Sequence, residues 1–168
     1  HAFDVEYKGK SILQYGTMSM LSFHATKLFN TAEGGALASP DAGMQEFLRQ
    51  LKNFGIADEE TMIAPGINGK MSELHAALGL SQLETVDEEI QARQRIAEYY
   101  NSRLASMPGL ITPRFDTGTT KSNYAYYPLR VDGAAYGITR DVLHGCLAKF
   151  NIHARRYFYP LCSTYEWC

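Results

Sequence analysis

Along the first third of the chain the apolar positions come in short clusters separated by turn residues, a pattern that predicts strands rather than helices. One strand is expected over 11–13 after a "KGK" turn, a second over 18–23, and a third over 35–38 after a double glycine. The period then changes. From Pro40 and Asp41 onward Met44, Phe47, Leu48 and Leu51 recur at helical spacing, with Gly55 beyond the expected end. After the loop "IAPGING" (63–69), Ser72 stands where an N-cap belongs. The run from there to Met107 carries a stripe of Leu74, Ala77, Leu78, Leu83, Val86 and Ile90 with charges opposite. So long a helix predicts a bend or break near "ETVDEE" (84–89) and a passage from one domain into another.

Pro108 and Gly109 close the helical run. Strands are then expected over 110–112 and 124–131, linked by the polar loop "DTGTTKSN" (116–123). Thr139 can cap a helix over 140–150, and 152–157 reads as a closing strand. Strand, strand, helix, strand over 110–159 is the pattern of a small α+β domain, and the alternation that precedes it suggests an α/β layer architecture.

Composition narrows the function classes. With 45% hydrophobic and 20% charged residues the 168-residue chain has the make-up of a soluble globular protein with material for a core. A net charge of −2 gives no electrostatic reason to expect nucleic acid or an anionic membrane as partner. No apolar run approaches a membrane span, and the first residues lack a signal peptide's charged-then-apolar order. Cys146, Cys162 and Cys168 are an odd number late in the chain, which favours a reducing, cytoplasmic setting over a disulfide framework. His24, His75, His144 and His153 show no metal-ligand spacing, so no metal is expected; His144 and Cys146 read as ordinary helix residues. His1 opens as if inside an element and Cys168 follows "STYEW" without a polar tail, so the chain reads as a fragment.

The candidate chemistry lies in "SFHATKLFNTAEGGAL" (22–37). Lysines usually end in solvent, and on position alone Lys27 would too. Its neighbours point elsewhere. Ser22, Thr26, Asn30 and Thr31 offer polar groups, and Gly34 with Gly35 lets backbone approach closely. Hydroxyls and backbone amides in a small space suit a phosphate. An amine beside a phosphate-sized pocket is what a pyridoxal phosphate enzyme requires, although other anion sites would fit the same residues.

The same stretch closely resembles the lysine motif of the DegT/DnrJ/EryC1/StrS family of sugar-nucleotide aminotransferases, which are fold-type-I (aspartate aminotransferase-like) pyridoxal phosphate enzymes. "HAFDVEYKGKSILQYG" (1–16), "GINGKMSELHAALGLSQL" (66–83) and "NIHARRYFYPL" (151–161) resemble further family segments in the expected order. The resemblance implies an α/β fold of two parts. Residues 1–90 would be the C-terminal part of the large cofactor-binding domain, and 91–168 a linking helix with an incomplete small α+β domain. It implies that Lys27 forms the Schiff base with pyridoxal 5'-phosphate and moves the proton. Ser22 would bind the cofactor phosphate, His1 would lie near the pyridoxal ring, and Asn68 would reach the cofactor of a neighbouring subunit in a homodimer. Arg155, Tyr157 and Tyr159 would approach the sugar nucleotide. The reaction implied is transfer of an amino group from an amino acid, glutamate in this reading, to a nucleotide-linked keto-sugar, with "HARRYFYPL" (153–161) pointing to dideoxy amino-sugars on a dTDP carrier.

Each assignment has a plainer counterpart. Ser22 could satisfy a strand-end backbone group, Asn68 could be a turn residue at positive φ, and His24 reads as a packed structural histidine. The aromatics of 124–128 and 155–160 are more often core or interface than a platform for substrate. The family's aspartate for the pyridinium nitrogen falls outside this chain, so weak cofactor binding and little turnover are expected of these residues alone. Relatives that act as sugar dehydratases carry histidine in the lysine's place, which Lys27 argues against. A non-catalytic, ligand-binding or regulatory module on the same fold is the rival from another class.

Overall fold

The computed structural model describes residues 1–115 and 120–168. In chain order the elements are β1 (Glu6–Tyr7), β2 (Lys10–Ser11), β3 (Ser19–Ser22), β4 (Gly35–Ala38), α1 (Ala42–Leu51), α2 (Glu73–Leu104), β5 (Leu110–Ile111), β6 (Thr120–Lys121), β7 (Arg130–Val131), α3 (Gly133–Tyr136) and α4 (Arg140–Lys149). They fall into two compact units. One comprises His1–Arg95 and Phe115–Ala125, the other Ile96–Arg114 and Tyr126–Cys168, so that the division runs through α2.

In the first unit β3 and β4 form an antiparallel hairpin in the register Ser19↔Ala38 to Ser22↔Gly35. Gly35 is required there because a Cβ on it would stand 2.8 Å from the Leu21 carbonyl oxygen. A three-stranded sheet in the order β2-β1-β6 pairs Glu6 with Ser11 and Lys121, all antiparallel. Asp41 caps α1, its carboxylate accepting from Met44 N at 2.6 Å. Ser72 caps α2 as expected, its Oγ accepting from His75 N at 3.4 Å. Among the described residues of this unit, Leu21, Phe29 and Ile90 are the buried large apolar ones.

In the second unit β5 pairs antiparallel with β7, Leu110 opposite Val131. Asp132 caps α3 and Thr139 caps α4, the latter accepting from Val142 N at 3.3 Å. Ala97 and Leu110 are its buried apolar residues.

The structure departs from the sequence reading in six places. The strand expected over 11–13 stops at Ser11, whose Oγ accepts from Leu13 N and turns Ile12–Gln14 into a 3-10 helix. The break expected near 84–89 does not occur: α2 is continuous, and that stretch holds neither glycine nor proline to interrupt it. Its inward face is offset from the leucine stripe. Gly79, Gln82, Val86, Ile90, Arg93 and Ala97 are buried or half-buried at helical spacing, while Leu74 is 85% exposed. The strand expected over 124–131 shrinks to Arg130–Val131, because Tyr124 sits at φ +50° and Pro128 has no N–H to pair. No strand forms over 152–157. Asn151 turns at φ +58°, and the Ala154 carbonyl is taken by the His144 ring at 2.9 Å. Of the expected loop over 116–123, residues 116–119 lie outside the described residues, and 120–121 form β6.

Candidate functional site

The hairpin loop between β3 and β4 carries Lys27. Its path is fixed by backbone bonds at both ends: Phe23 N donates to Gly34 O at 2.8 Å and Thr31 N to Phe23 O at 2.9 Å. Between them Lys27 N donates to His24 O at 2.9 Å, and the Asn30 side chain donates to Lys27 O at 3.4 Å. Thr31, 2% exposed, seals the loop by donating its hydroxyl to Glu33 O at 2.7 Å. α2 lies directly against this point, since a Cβ on Gly79 would meet Thr31 Cγ2 at 2.8 Å. Gly34 and Gly35 thus serve close packing of the hairpin itself, Gly34 against the Thr31 hydroxyl and Gly35 against Leu21.

The hydrophobic anchor of the loop is Phe29. Its ring stacks on Phe3 at 4.4 Å between centroids and meets Phe23 edge-on at 4.8 Å. Two residues earlier the half-buried Lys27 extends its Nζ to 3.4 Å from His1 Nε2. His1, Ser22 and Lys27 line one small recess, closed by Phe3, Phe29 and Ala125. Three of the four residues assigned to the cofactor therefore meet in one place. The fourth, Asn68, does not line the recess. Its backbone bridges Asn53, and it is not a left-handed turn residue.

His24 differs from the expectation of a packed ring. It is exposed, and its Nδ1 accepts from Thr26 N at 3.2 Å, which leaves Nε2 carrying the hydrogen 3.6 Å from Glu33. The ring is thus engaged in holding the loop's outer side.

Within the second unit, Arg155 and Tyr157 line a cavity of about 440 Å³ together with Tyr126, Arg130, Arg140 and His144. Tyr157 packs on Tyr126 at 5.3 Å and on Phe158 at 4.3 Å. Burial pushes the Tyr157 hydroxyl pKa up; the neighbouring Tyr126 adds to this and Arg155 opposes it. Tyr159 does not line this cavity. Its ring lies 4.5 Å from the Arg156 guanidinium and 5.2 Å from that of Arg140.

One contributor escaped sequence reasoning. Asn123 is 5% exposed and donates to the carbonyls of His1, at 2.9 Å, and Phe3, at 2.6 Å. Nothing in the local pattern of a polar loop marks it, because its partners are more than a hundred residues away.

The sequence profile of the DegT/DnrJ/EryC1/StrS aminotransferase family matches residues 1–167. The chain is 42% identical over 166 residues to a dTDP-4-amino-4,6-dideoxy-D-glucose transaminase of Shigella dysenteriae, covering 99% of this chain and 45% of that protein. A protein of the same description from Escherichia coli is 44% identical, with 98% and 44% covered. Among solved structures, DesI in the presence of its TDP-sugar product matches with a TM-score of 0.89 and 36% identity over 99% of this chain and 42% of its own. The Streptococcus pneumoniae protein Spr1654 in its PLP-form matches with a TM-score of 0.82 and 30% identity over 96% of this chain and 43% of its own. The chain thus spans less than half the length of the relatives it matches. Among the described residues no helix is long and apolar enough to cross a membrane.

Proposed function

Given that the chain belongs to the DegT/DnrJ/EryC1/StrS aminotransferase family, we propose that it is the lysine-bearing part of a cytoplasmic, pyridoxal phosphate-dependent transferase. In this reading the enzyme moves an amino group from glutamate to a nucleotide-linked keto-sugar. Residues 1–90 act as the C-terminal part of a large fold-type-I domain and 91–168 as the linking helix and small domain. The observation that carries the proposal is the convergence of Lys27, Ser22 and His1 on one recess. That donor set fits the cofactor: an amine for its aldehyde carbon, a hydroxyl for its phosphate and an imidazole beside the amine.

When bound, pyridoxal phosphate supplies an electron sink for the carbon that loses its proton. The residues of this chain contribute proton transfer, phosphate binding and orientation of the amine. Lys27 Nζ takes the proton from the α-carbon of the amino donor and, in the second half-reaction, returns one to the sugar carbon that receives nitrogen. Ser22 Oγ donates to the phosphate, and His1 Nε2, 3.4 Å from Nζ, orients the amine. Asn68 serves the site of a second copy. The sites are thus shared within a homodimer. Arg155, Tyr157 and Tyr159 meet the nucleotide-sugar. The relatives' dTDP-linked 4-amino-4,6-dideoxy product favours a dTDP-linked 4-keto-6-deoxy sugar as acceptor.

The test is to mix the chain with pyridoxal phosphate, reduce with borohydride and map the adduct by peptide mass spectrometry. A selective adduct on Lys27 is expected; where labelling of the chain alone spreads over surface lysines, the same reduction on the full-length protein decides, and spread labelling there would overturn the assignment. Incubation of the full-length protein with glutamate and the keto-sugar nucleotide is expected to yield amino-sugar and 2-oxoglutarate. Binding without turnover would instead point to a ligand-binding module.

A further inference from the structure

We infer that Asn123 is a positioning residue for the Lys27 site, acting through the backbone of residues 1–3. The inference rests on the reading of Lys27 as the reactive amine. Its geometry is a saturated amide. Both Nδ2 hydrogens are used, one on the His1 carbonyl at 2.9 Å and one on the Phe3 carbonyl at 2.6 Å, while Oδ1 accepts from Ala125 N at 3.1 Å. The side chain is 5% exposed, so these bonds are made away from competing water.

What the amide holds is the segment that faces Lys27. His1 places Nε2 3.4 Å from Lys27 Nζ, and Phe3 stacks at 4.4 Å on Phe29, the anchor of the lysine loop. Residues 1–3 belong to no strand, so no sheet ladder fixes their carbonyls. The segment is held instead by Asn123 and, farther along, by the Lys121–Asp4 ion pair at 2.8 Å and the β1–β6 pairing. Asn123 is itself fixed from two sides. The chain turns at Tyr124, φ +50°, and Arg93 of α2 donates to the Ala125 carbonyl at 3.5 Å. Of these ties, only Asn123 grips the two residues whose side chains touch the lysine loop.

Asn123→Asp tests the idea, because it preserves shape and the Oδ1 acceptor but sets an oxygen against two carbonyls. The readout is the rate at which Lys27 is acetylated by trace acetic anhydride, counted against Lys52 in the same sample, and its pH profile. We expect the relative rate to change by roughly tenfold, since displacing a reactive group by an ångström has effects of that order or larger. In a His1→Ala background the change should shrink markedly, because His1 carries the direct contact with the amine and only the path through Phe3 and Phe29 is left. Lys121→Met, which loosens the same segment without touching the His1 and Phe3 carbonyls, should leave the relative rate unchanged. Should Asn123→Asp unfold, Asn123→Ser keeps one donor and is expected to show a smaller change with the same dependence on His1. An unchanged Lys27 rate, or a change that persists in full without His1, would overturn the proposal. Neither outcome depends on whether pyridoxal phosphate is trapped on Lys27, so a failure of the cofactor reading is separately visible.

Discussion

The Lys27 loop and the segment from Arg155 to Tyr159 both carry residues assigned to the site, yet the chain treats them differently. The lysine loop is closed by backbone bonds at both ends and anchored by two residues, Phe29 and Thr31, that are 6% and 2% exposed. The segment over 155–159 is exposed at every residue and forms no strand. It is held by ring contacts and by arginines that Tyr159 and Asp141 share. The difference teaches that a motif becomes a preorganised site where its polar backbone is satisfied locally and a large side chain is buried beneath it. Charge and aromatic contacts on an open surface hold a segment more weakly.

The sharpest way to break the comparison is a pair of truncations. Phe29→Ala removes a buried ring packed on Phe3 and Phe23, and should cost about 3–5 kcal/mol. Tyr157→Ala removes a ring that is 42% exposed and should cost about 1 kcal/mol or less. Urea unfolding midpoints decide; equal costs would mean the two regions are anchored alike. Next in size is Gly79→Ala. The added methyl would stand 2.8 Å from Thr31 Cγ2, and either α2 or the loop must shift, at about 1–3 kcal/mol. The same substitution at Gly145 of α4 meets nothing and should stabilise slightly, by up to about 1 kcal/mol.

How much of this was legible follows the range of the interactions. The β4 strand, α1 and the caps at Ser72 and Thr139 could be read because a cap or a hairpin needs only neighbours a few residues apart. The gathering of Lys27, Ser22 and His1 was reachable through the family resemblance. The inward face of α2 was misread because leucines mark an apolar stripe without saying what covers it. The chain packs Gly79 and Ala97 inward and leaves Leu74 in solvent. The strand expected over 152–157 was likewise misread, since β propensity becomes a strand only beside a partner. Asn123 was invisible for the strongest reason: its role consists entirely of bonds to residues at the other end of the sequence.

The smallest effects expected are electrostatic, and they separate the two regions by pH. In the first unit the hydrogen bond to Asp4, aided by its charge, raises the Lys121 pKa above the ordinary 10.5. A folded value above the unfolded one means the stabilisation is complete below about that pH and is lost as the pH rises through the folded value. In the second unit the hydrogen bond from Arg140, with the Arg140 and Arg156 charges behind it, lowers the Asp141 pKa below 3.8. There the sign reverses: the contribution is present above 3.8 and fades as the pH falls through the depressed value. Alkali should therefore loosen the tie between 121 and residue 4, and acid the tie between α4 and Arg156. The Arg156–Asp141 pair is exposed and the Lys121–Asp4 pair half-buried, so salt will screen the first more than the second. The measurement is amide hydrogen exchange at matched intrinsic rates, comparing the chain with Lys121→Met and Asp141→Asn. Lys121→Met should remove the alkaline loss of protection at 4–7 and leave 155–159 untouched, while Asp141→Asn should remove only the acid-dependent change near 156. A change that crosses between the two regions would show that they are coupled, and would end the contrast drawn between them.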